Sequence, residues 1–160
     1  MQDRLRMEAF LPYRLIRVAD RFDTAFSHYC GPEDELSWSE WQVLWSLGES
    51  SPITAKVISL HSGLSKTKIS RAVKVLEDRG YLLRQRDRAD RRFELLSLTE
   101  EGMRRFDRLE RCAYAFQRWL EQTVDIAYLS SLENGLSGLE HLAADGHLQI
   151  AAVAVQDTIA

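Results

Sequence analysis

Basic side chains are concentrated in one short part of the chain, residues 65–92. This stretch contains ten Lys or Arg and four Asp or Glu, which gives it a net charge of +6. Because the whole chain carries −3, the remaining residues together carry −9. Guanidinium and ammonium groups at this density bind phosphate oxygens well, since each neutralised phosphate releases condensed counterions. A basic segment on an acidic body therefore indicates a polyanion as the partner.

The first half of this basic segment has the pattern of an amphipathic helix. Ser65 is a suitable N-cap, Ile69 and Val73 recur at helical spacing, and Gly80 is a suitable C-terminal stop. At 100° per residue, a polar face lies opposite the apolar one. That polar face carries Thr67, Ser70, Arg71 and Lys74. The pattern predicts a helix with one buried face and one basic, exposed face.

The second half has the pattern of a β-hairpin. Two strand-like runs, residues 81–83 and 93–98, enclose an arginine-rich tip at residues 84–92. A basic helix followed by a basic hairpin matches the grooves of duplex DNA, because a helix fits the major groove and an arginine fits a narrow minor groove. We therefore predict double-stranded DNA as the partner.

Three helices are predicted before the basic segment. The first covers residues 8–29 and has apolar side chains at three- and four-residue steps. The second begins at a cap on Ser37 or Ser39 and ends at Gly48. The third begins at Ser51-Pro52, because proline is tolerated in the first turn of a helix.

Two helices are predicted after the hairpin. Thr99 caps a helix that runs to about residue 123, and a leucine-rich helix follows to about residue 142. These helices have more apolar positions than a compact DNA-reading module can cover, so we expect them to pack against another chain. The predicted fold class is mainly α with a small β wing.

Composition excludes several classes of protein. The chain is 45% hydrophobic and 28% charged, which is typical of a globular domain and not of a disordered one. It has neither an apolar run long enough to span a membrane nor the apolar core of a secretion signal, so we expect a cytoplasmic protein without membrane contact. Phosphate-binding glycine loops, GxSxG and convergent acid pairs are missing, so no enzymatic activity and no cofactor are predicted.

Two segments resemble a known family. One is DRADRR at residues 87–92, followed by LSLTEEG at residues 96–102. The other is GLS at residues 63–65, with LEDRGYL at residues 76–82. Together with the order of the helices, they resemble the MarR family of winged helix-turn-helix transcription regulators. The resemblance covers residues 10–142, and Arg88 replaces the common proline of the family's wing.

The resemblance implies a domain organisation and a function. It implies one domain over residues 1–160, with a winged helix-turn-helix at 36–100, dimerisation helices at 8–30 and 101–143, and a tail of unknown role at 144–160. A homodimer would bind a pseudo-palindromic operator, because two-fold symmetry presents two recognition helices to successive major grooves. Repression is the default in the family, with activation as the alternative, and a small organic ligand often relieves repression.

Thirteen residues are candidates for DNA contact. Lys68, Arg71 and the hydroxyls beside them would reach base edges, and Lys66, Lys74 and the Ser65 cap would meet phosphates. Arg91 is the first choice for the minor groove and Arg88 the second, while the resemblance implies that Asp90 and Arg92 pair within the wing. The full set is Ser65, Lys66, Thr67, Lys68, Ser70, Arg71, Lys74, Arg84, Arg86, Arg88, Asp90, Arg91 and Arg92.

A ligand pocket in this family usually lies where the first, second and fifth helices meet the DNA module. Aromatic side chains could form an apolar cleft there, and cationic ones could hold the carboxylate of an aromatic acid. The alternative for each residue is an ordinary core or surface role. The candidates are Tyr13, Arg14, Arg17, His28, Trp38, Trp41, Trp45 and Phe116, with Trp119 as a further aromatic residue.

Three other functions could use residues of this chain. A thiol sensor would use Cys30, but the end of a helix and three nearby acids disfavour its thiolate. His28 and Cys30 lie two residues apart and point to different helix faces, so no metal site is predicted. A winged-helix protein that packages DNA or contacts other proteins would share the basic module but lack sequence preference.

Overall fold

The computed structural model describes residues 5–31, 36–86 and 94–144. In these ranges a short 3₁₀ turn, Met7–Ala9, precedes six α-helices and three short β-strands. The elements are α1 (Leu11–Cys30), α2 (Trp38–Glu49), β1 (Ile53–Thr54), α3 (Ala55–Ser62), α4 (Lys66–Asp78), β2 (Leu82–Arg86), β3 (Glu94–Leu98), α5 (Glu100–Thr123) and α6 (Ile126–Ala144). The chain divides into two compact units, Met1–Phe116 and Gln117–Ala160. The predicted fold class is confirmed.

The core of the first unit lies between the helices α2, α3 and α4 and the sheet. Val43, Leu47, Ile58 and Leu76 are almost completely removed from solvent. Their burial is the main favourable contribution to folding, since apolar area removed from water is stabilising by about 25 cal/mol per Å². The predicted inward positions of α4, Ile69, Val73 and Leu76, are all buried.

Helix α2 begins as predicted but ends later. The Ser37 hydroxyl accepts a hydrogen bond from the Glu40 amide at 3.4 Å, and the Glu40 carboxylate accepts one from the Ser37 amide at 3.1 Å. This capping box selects Ser37 over Ser39. The prediction that Gly48 ends the helix is wrong, because α2 continues to Glu49. Gly48 serves packing instead, since a Cβ there would overlap the ring of Phe106.

Helix α3 begins later than predicted. Its N-cap is Thr54, whose hydroxyl accepts a hydrogen bond from the Val57 amide at 3.4 Å. The prediction that Ser51-Pro52 starts the helix is wrong, because Ile53 and Thr54 form the strand β1, which pairs antiparallel with β3. The sheet has the order β1–β3–β2. Backbone hydrogen bonds to a strand some forty residues further along the chain therefore keep this segment extended.

The start of α5 is joined to the end of α4. Thr99 Oγ1 donates to the Gly80 carbonyl at 2.7 Å and accepts from the Gly102 amide at 2.9 Å, while the Thr99 amide donates to the Tyr81 carbonyl at 3.0 Å. The predicted cap is confirmed. Gly102 is buried, and a Cβ there would overlap the Tyr81 carbonyl oxygen. The threonine and glycine of this segment therefore fix the start of α5 against the segment that joins α4 to β2.

Helices α1 and α6 each expose apolar side chains. On α1, Leu15, Val18 and Phe22 are each about 40–50% exposed, and Ile16 is 64% exposed. Helix α6 has no buried residue in this single chain. None of the helices in the described ranges combines the length and apolarity needed to cross a bilayer.

Candidate nucleic-acid interface

Helix α4 presents its polar side chains to solvent. The Ser65 hydroxyl accepts a hydrogen bond from the Lys68 amide at 3.4 Å, which caps the helix as predicted. The opposite face is fixed in the core through Ile69, Ala72, Val73 and Leu76. The rigid backbone therefore holds one cationic face outward, where the structure exposes all the predicted contact residues of this helix: Ser65, Lys66, Thr67, Lys68, Ser70, Arg71 and Lys74.

Lys74 has a partner on its own helix. Its Nζ lies 2.6 Å from Asp78 Oδ1, four residues further along. The hydrogen bond to Asp78 and the charge of that carboxylate raise the pKa of Lys74 above its ordinary value. Lys74 therefore stays a cation at any pH near neutrality, and the carboxylate of Asp78 compensates part of its positive charge.

The described part of the hairpin carries two further cations. Leu82 is buried, and Arg84 and Arg86 follow on the same face of β2, because side chains alternate along a strand. Arg84 Nε lies 3.0 Å from Glu77 Oε2 on α4, and its Nη1 lies 3.4 Å from Glu94 Oε2 on β3. Sequence reasoning placed Arg84 among the DNA contacts and did not identify either carboxylate as its partner.

Four predicted contact residues at the tip of the hairpin lie outside the described residues: Arg88, Asp90, Arg91 and Arg92. The assignment of Arg91 or Arg88 to the minor groove, and the pairing of Asp90 with Arg92, therefore stay predictions.

The predicted tryptophans of α2 and Phe116 belong to one aromatic cluster, but its side chains fill the space between them. Trp38 stacks on Trp41 with ring centroids 4.7 Å apart, and Trp41 stacks on Trp45 at 4.8 Å. Phe26 packs edge-on against Trp41 and against Phe116. Beside Phe26, Trp38 and Trp41 only about 10 Å³ stays open, which is less than one small organic molecule needs.

The cationic ligand candidates lie elsewhere. Arg14, Arg17 and His28 are exposed on α1, and the guanidinium of Arg17 lies 5.6 Å from the centroid of the Tyr13 ring. Cys30, at the end of the same helix, is only 8% exposed. Burial limits the access of an oxidant to this thiol, so it does not favour the redox-sensing alternative.

A more open depression lies where α2 passes the end of α3. It has a volume of about 330 Å³, and its lining residues are Trp41, Gln42, Trp45, Ser46, Glu49, His61 and Ser62. Trp45 Nε1 donates to Glu49 Oε1 at 2.7 Å. Trp41 Nε1 and Gln42 Oε1 are buried without a hydrogen-bond partner in the described part of the chain. Sequence reasoning missed Gln42, Ser46, Glu49, His61 and Ser62, because nothing in their spacing indicates that the two helices converge there.

Comparisons with known proteins agree with this geometry. A profile of the MarR family matches residues 35–92. The chain is 31% identical over 122 residues to the HTH-type transcriptional regulator PapX of Escherichia coli, covering 74% of each protein. The fold is similar to that of the PcaV transcriptional regulator of Streptomyces coelicolor, solved with its natural ligand, with a TM-score of 0.76 and 19% identity over 89% of this chain and 99% of PcaV.

A second solved structure is the transcriptional repressor CouR, from Rhodococcus jostii RHA1, bound to a 23-mer DNA duplex. It is 25% identical with a TM-score of 0.70, and the match covers 88% of this chain and 99% of that structure. The chain with this capped basic helix and three-stranded sheet is thus similar in sequence and in fold to transcriptional regulators. The chain belongs to the MarR family of winged-helix, DNA-binding transcriptional regulators, which are not enzymes.

Proposed function

We propose that the protein is a sequence-specific repressor that binds a pseudo-palindromic operator as a homodimer and is released by a small organic ligand. The observation that carries the proposal is the outward cationic face of α4, capped at Ser65 and anchored in the core by Ile69, Val73 and Leu76. A helix whose apolar face is held in the core can place its exposed polar face in the major groove of DNA. Its DNA target would place it in the cytoplasm.

The homodimer is supported by the apolar residues on helices α1 and α6. Leu15, Val18 and Phe22 on α1, and Leu132 and Leu136 on α6, are about 40–50% exposed in one chain. Soluble proteins do not usually leave so many large apolar side chains in water, and a two-fold partner would cover them. Two recognition helices would then meet half-sites about one helical turn apart, which is why we expect a pseudo-palindromic operator.

Ligand release is supported by the open depression beside Trp41 and Trp45. The indole rings offer a stacking surface, and His61 and Ser62 offer polar groups at the same place. PcaV was solved with its natural ligand. A ligand would relieve repression to the extent that it binds better to a dimer whose recognition helices do not match the operator spacing.

The test of the proposal is fluorescence-anisotropy titration on DNA from upstream of the protein's own gene, with scrambled competitor, at two salt concentrations. We expect the affinity for the operator to exceed the affinity for scrambled DNA by a factor of about a thousand or more. If the operator does not lie upstream of the protein's own gene, a selection of bound fragments from the whole genome would find it. If no selected fragment outcompetes scrambled DNA, the protein is a non-specific winged-helix binder and the proposal is wrong.

Arg71→Ala tests the base-reading role of α4. We expect the variant to lose about 1–3 kcal/mol of preference for the operator over scrambled DNA, because Arg71 would pair with a base edge. The matched control is Arg14→Ala, which removes an exposed arginine from α1 and should leave that preference unchanged. Equal preference in wild type and Arg71→Ala would contradict the assignment.

A further inference from the structure

Arg84 joins three elements of the DNA-reading module. It follows the buried Leu82 on the same face of β2 and lies opposite Leu96 of β3. Its guanidinium donates to Glu77 at 3.0 Å and to Glu94 at 3.4 Å, while only about one third of the side chain is exposed. One side chain therefore connects the last turn of α4 with both strands of the hairpin.

An unfilled space lies beside the bridge. A groove of about 510 Å³ opens beside Arg84 and is lined by residues of α3, α4, β2 and β3. Ile69, Val73 and Leu96 contribute apolar walls, and Arg84 and Glu94 also line the groove. Close packing normally fixes the distance between elements. Beside the open groove that packing is missing, so the ion pairs of Arg84 are the side-chain bonds that connect α4 with β2 and β3 there.

The base of the hairpin is held by a separate set of bonds. Thr99 donates to the carbonyls of Gly80 and Tyr81 at 2.7 and 3.0 Å, respectively. These bonds fix one point of the hairpin relative to α4. Arg84 lies further along β2 and provides a second point. Two fixed points determine the direction in which the hairpin leaves the helix.

We propose that Arg84 is a positioning residue, which sets the angle between the recognition helix α4 and the hairpin so that both fit their DNA grooves. Its planar guanidinium suits this role, because it can donate to two carboxylates in different directions at once. With both carboxylates bound, its charge is already compensated and contributes little to phosphate binding. The inference rests on the proposed DNA-reading function.

Glu77→Gln gives the first test, because the two roles predict opposite signs. Removing a negative charge next to DNA strengthens binding when only charge matters, and it would release Arg84 toward a phosphate. If Arg84 positions the hairpin, the same change weakens its bond to α4, because a neutral amide oxygen is a poorer acceptor for a guanidinium than a carboxylate, and we expect operator affinity to fall about fivefold to tenfold. Affinity that is unchanged or higher in Glu77→Gln would overturn the inference.

The second test compares Arg84→Gln with Arg86→Gln by measuring the dependence of log K on log salt. A lost phosphate contact lowers this slope by about one. We expect that decrease for Arg86→Gln, whereas Arg84→Gln should lose affinity with its slope unchanged. A slope that falls by about one in Arg84→Gln would show a direct phosphate contact and reject the positioning role.

The double variant Glu77→Gln/Arg84→Gln completes the cycle. If Arg84 acts through Glu77, the two losses should not add, and the double variant should bind like the weaker single variant. Fully additive losses would count against the bridge. If Arg84→Gln does not fold, Arg84→Lys replaces it. Lysine keeps the positive charge but lacks the planar fork that donates to two carboxylates. We expect Arg84→Lys to bind DNA more weakly with the same dependence of log K on log salt.

All variants are also titrated on an unrelated duplex, and their thermal unfolding is recorded. The salt dependence of log K, and the direction in which Glu77→Gln changes affinity, can be measured on the operator or on the unrelated duplex. Lack of operator preference in the wild-type protein would therefore overturn the proposed function while leaving the role of Arg84 to be decided by its own result.

Discussion

At the scale of single residues, Gly102 shows how one missing side chain fixes the position of a helix. Its amide donates to Thr99 Oγ1, and its Cα faces the carbonyl of Tyr81 with no room for a methyl group. The sequence LTEEG was recognisable as part of a family pattern. The reason for its glycine appears only when the end of α4 and the start of α5 are seen together.

Gly102→Ala should destabilise the protein by about 3 kcal/mol, because the added methyl would overlap the backbone carbonyl of Tyr81 and force it to move. Chemical denaturation would measure the change in the free energy of unfolding. The matched control is Gly135→Ala within α6, where an added Cβ meets no atom within 4 Å. The control should be neutral or gain up to about 1 kcal/mol from helix propensity. Equal effects at the two sites would contradict this account.

Residue types alone indicated the charged face of α4 correctly but not the partners of its neighbours. Thr67, Ser70, Arg71 and Lys74 are exposed because helical periodicity places them opposite the buried stripe. Charge alone predicts that Arg84 contacts DNA. Its carboxylates come from a different helix and a different strand, and a linear pattern does not show which acids will lie near it.

At the scale of elements, three helix starts followed from capping chemistry, whereas the short strand β1 was not predicted. Ser37, Ser65 and Thr99 each cap a helix as side-chain hydrogen bonding predicts. The strand β1 has only two residues, and its backbone pairs with a strand far along the chain. Short elements that depend on distant partners carry no local periodicity, so sequence reasoning extended α3 backward over them.

Thr99→Ala should loosen the junction between the hairpin and α5. The variant loses the hydrogen bond to the Gly80 carbonyl and leaves the Gly102 amide without its acceptor, so we expect a loss of about 1–2 kcal/mol in the free energy of unfolding. Thr24→Ala is the matched control, because Thr24 Oγ1 donates to a carbonyl of its own exposed helix. The control should change stability by less than about 0.5 kcal/mol. A Thr99→Ala variant as stable as its control would refute the role of the junction.

At the scale of the whole molecule, opposite charges are separated along the chain. Residues 65–92 carry +6 and the remainder carries −9. DNA attracts the first part and repels the second, so the field orients the protein before contact and speeds productive association. The overall pI of about 5.8 hides this separation.

Replacing both Leu132 and Leu136 by Glu should dissociate the proposed homodimer. Charged side chains buried in an apolar interface lose their hydration, so the dimer dissociation constant should rise by about a hundredfold or more. Sedimentation velocity would measure the oligomeric state, and operator affinity should fall with it because one half-site binds weakly alone. Leu60→Glu, which alters a 73% exposed leucine on α3, should leave the oligomeric state unchanged. Persistence of the dimer in the double variant would exclude α6 from the interface.

Three of the four tryptophans, Trp38, Trp41 and Trp45, form one continuous stack along α2. Indole transitions at such short separations couple to one another, so the near-ultraviolet circular dichroism of the protein should contain an exciton signal from this stack. Because Trp41 and Trp45 also line the open depression, a molecule that enters it would change that signal directly. The protein thus carries a built-in optical reporter, and ligands can be screened without attaching any label.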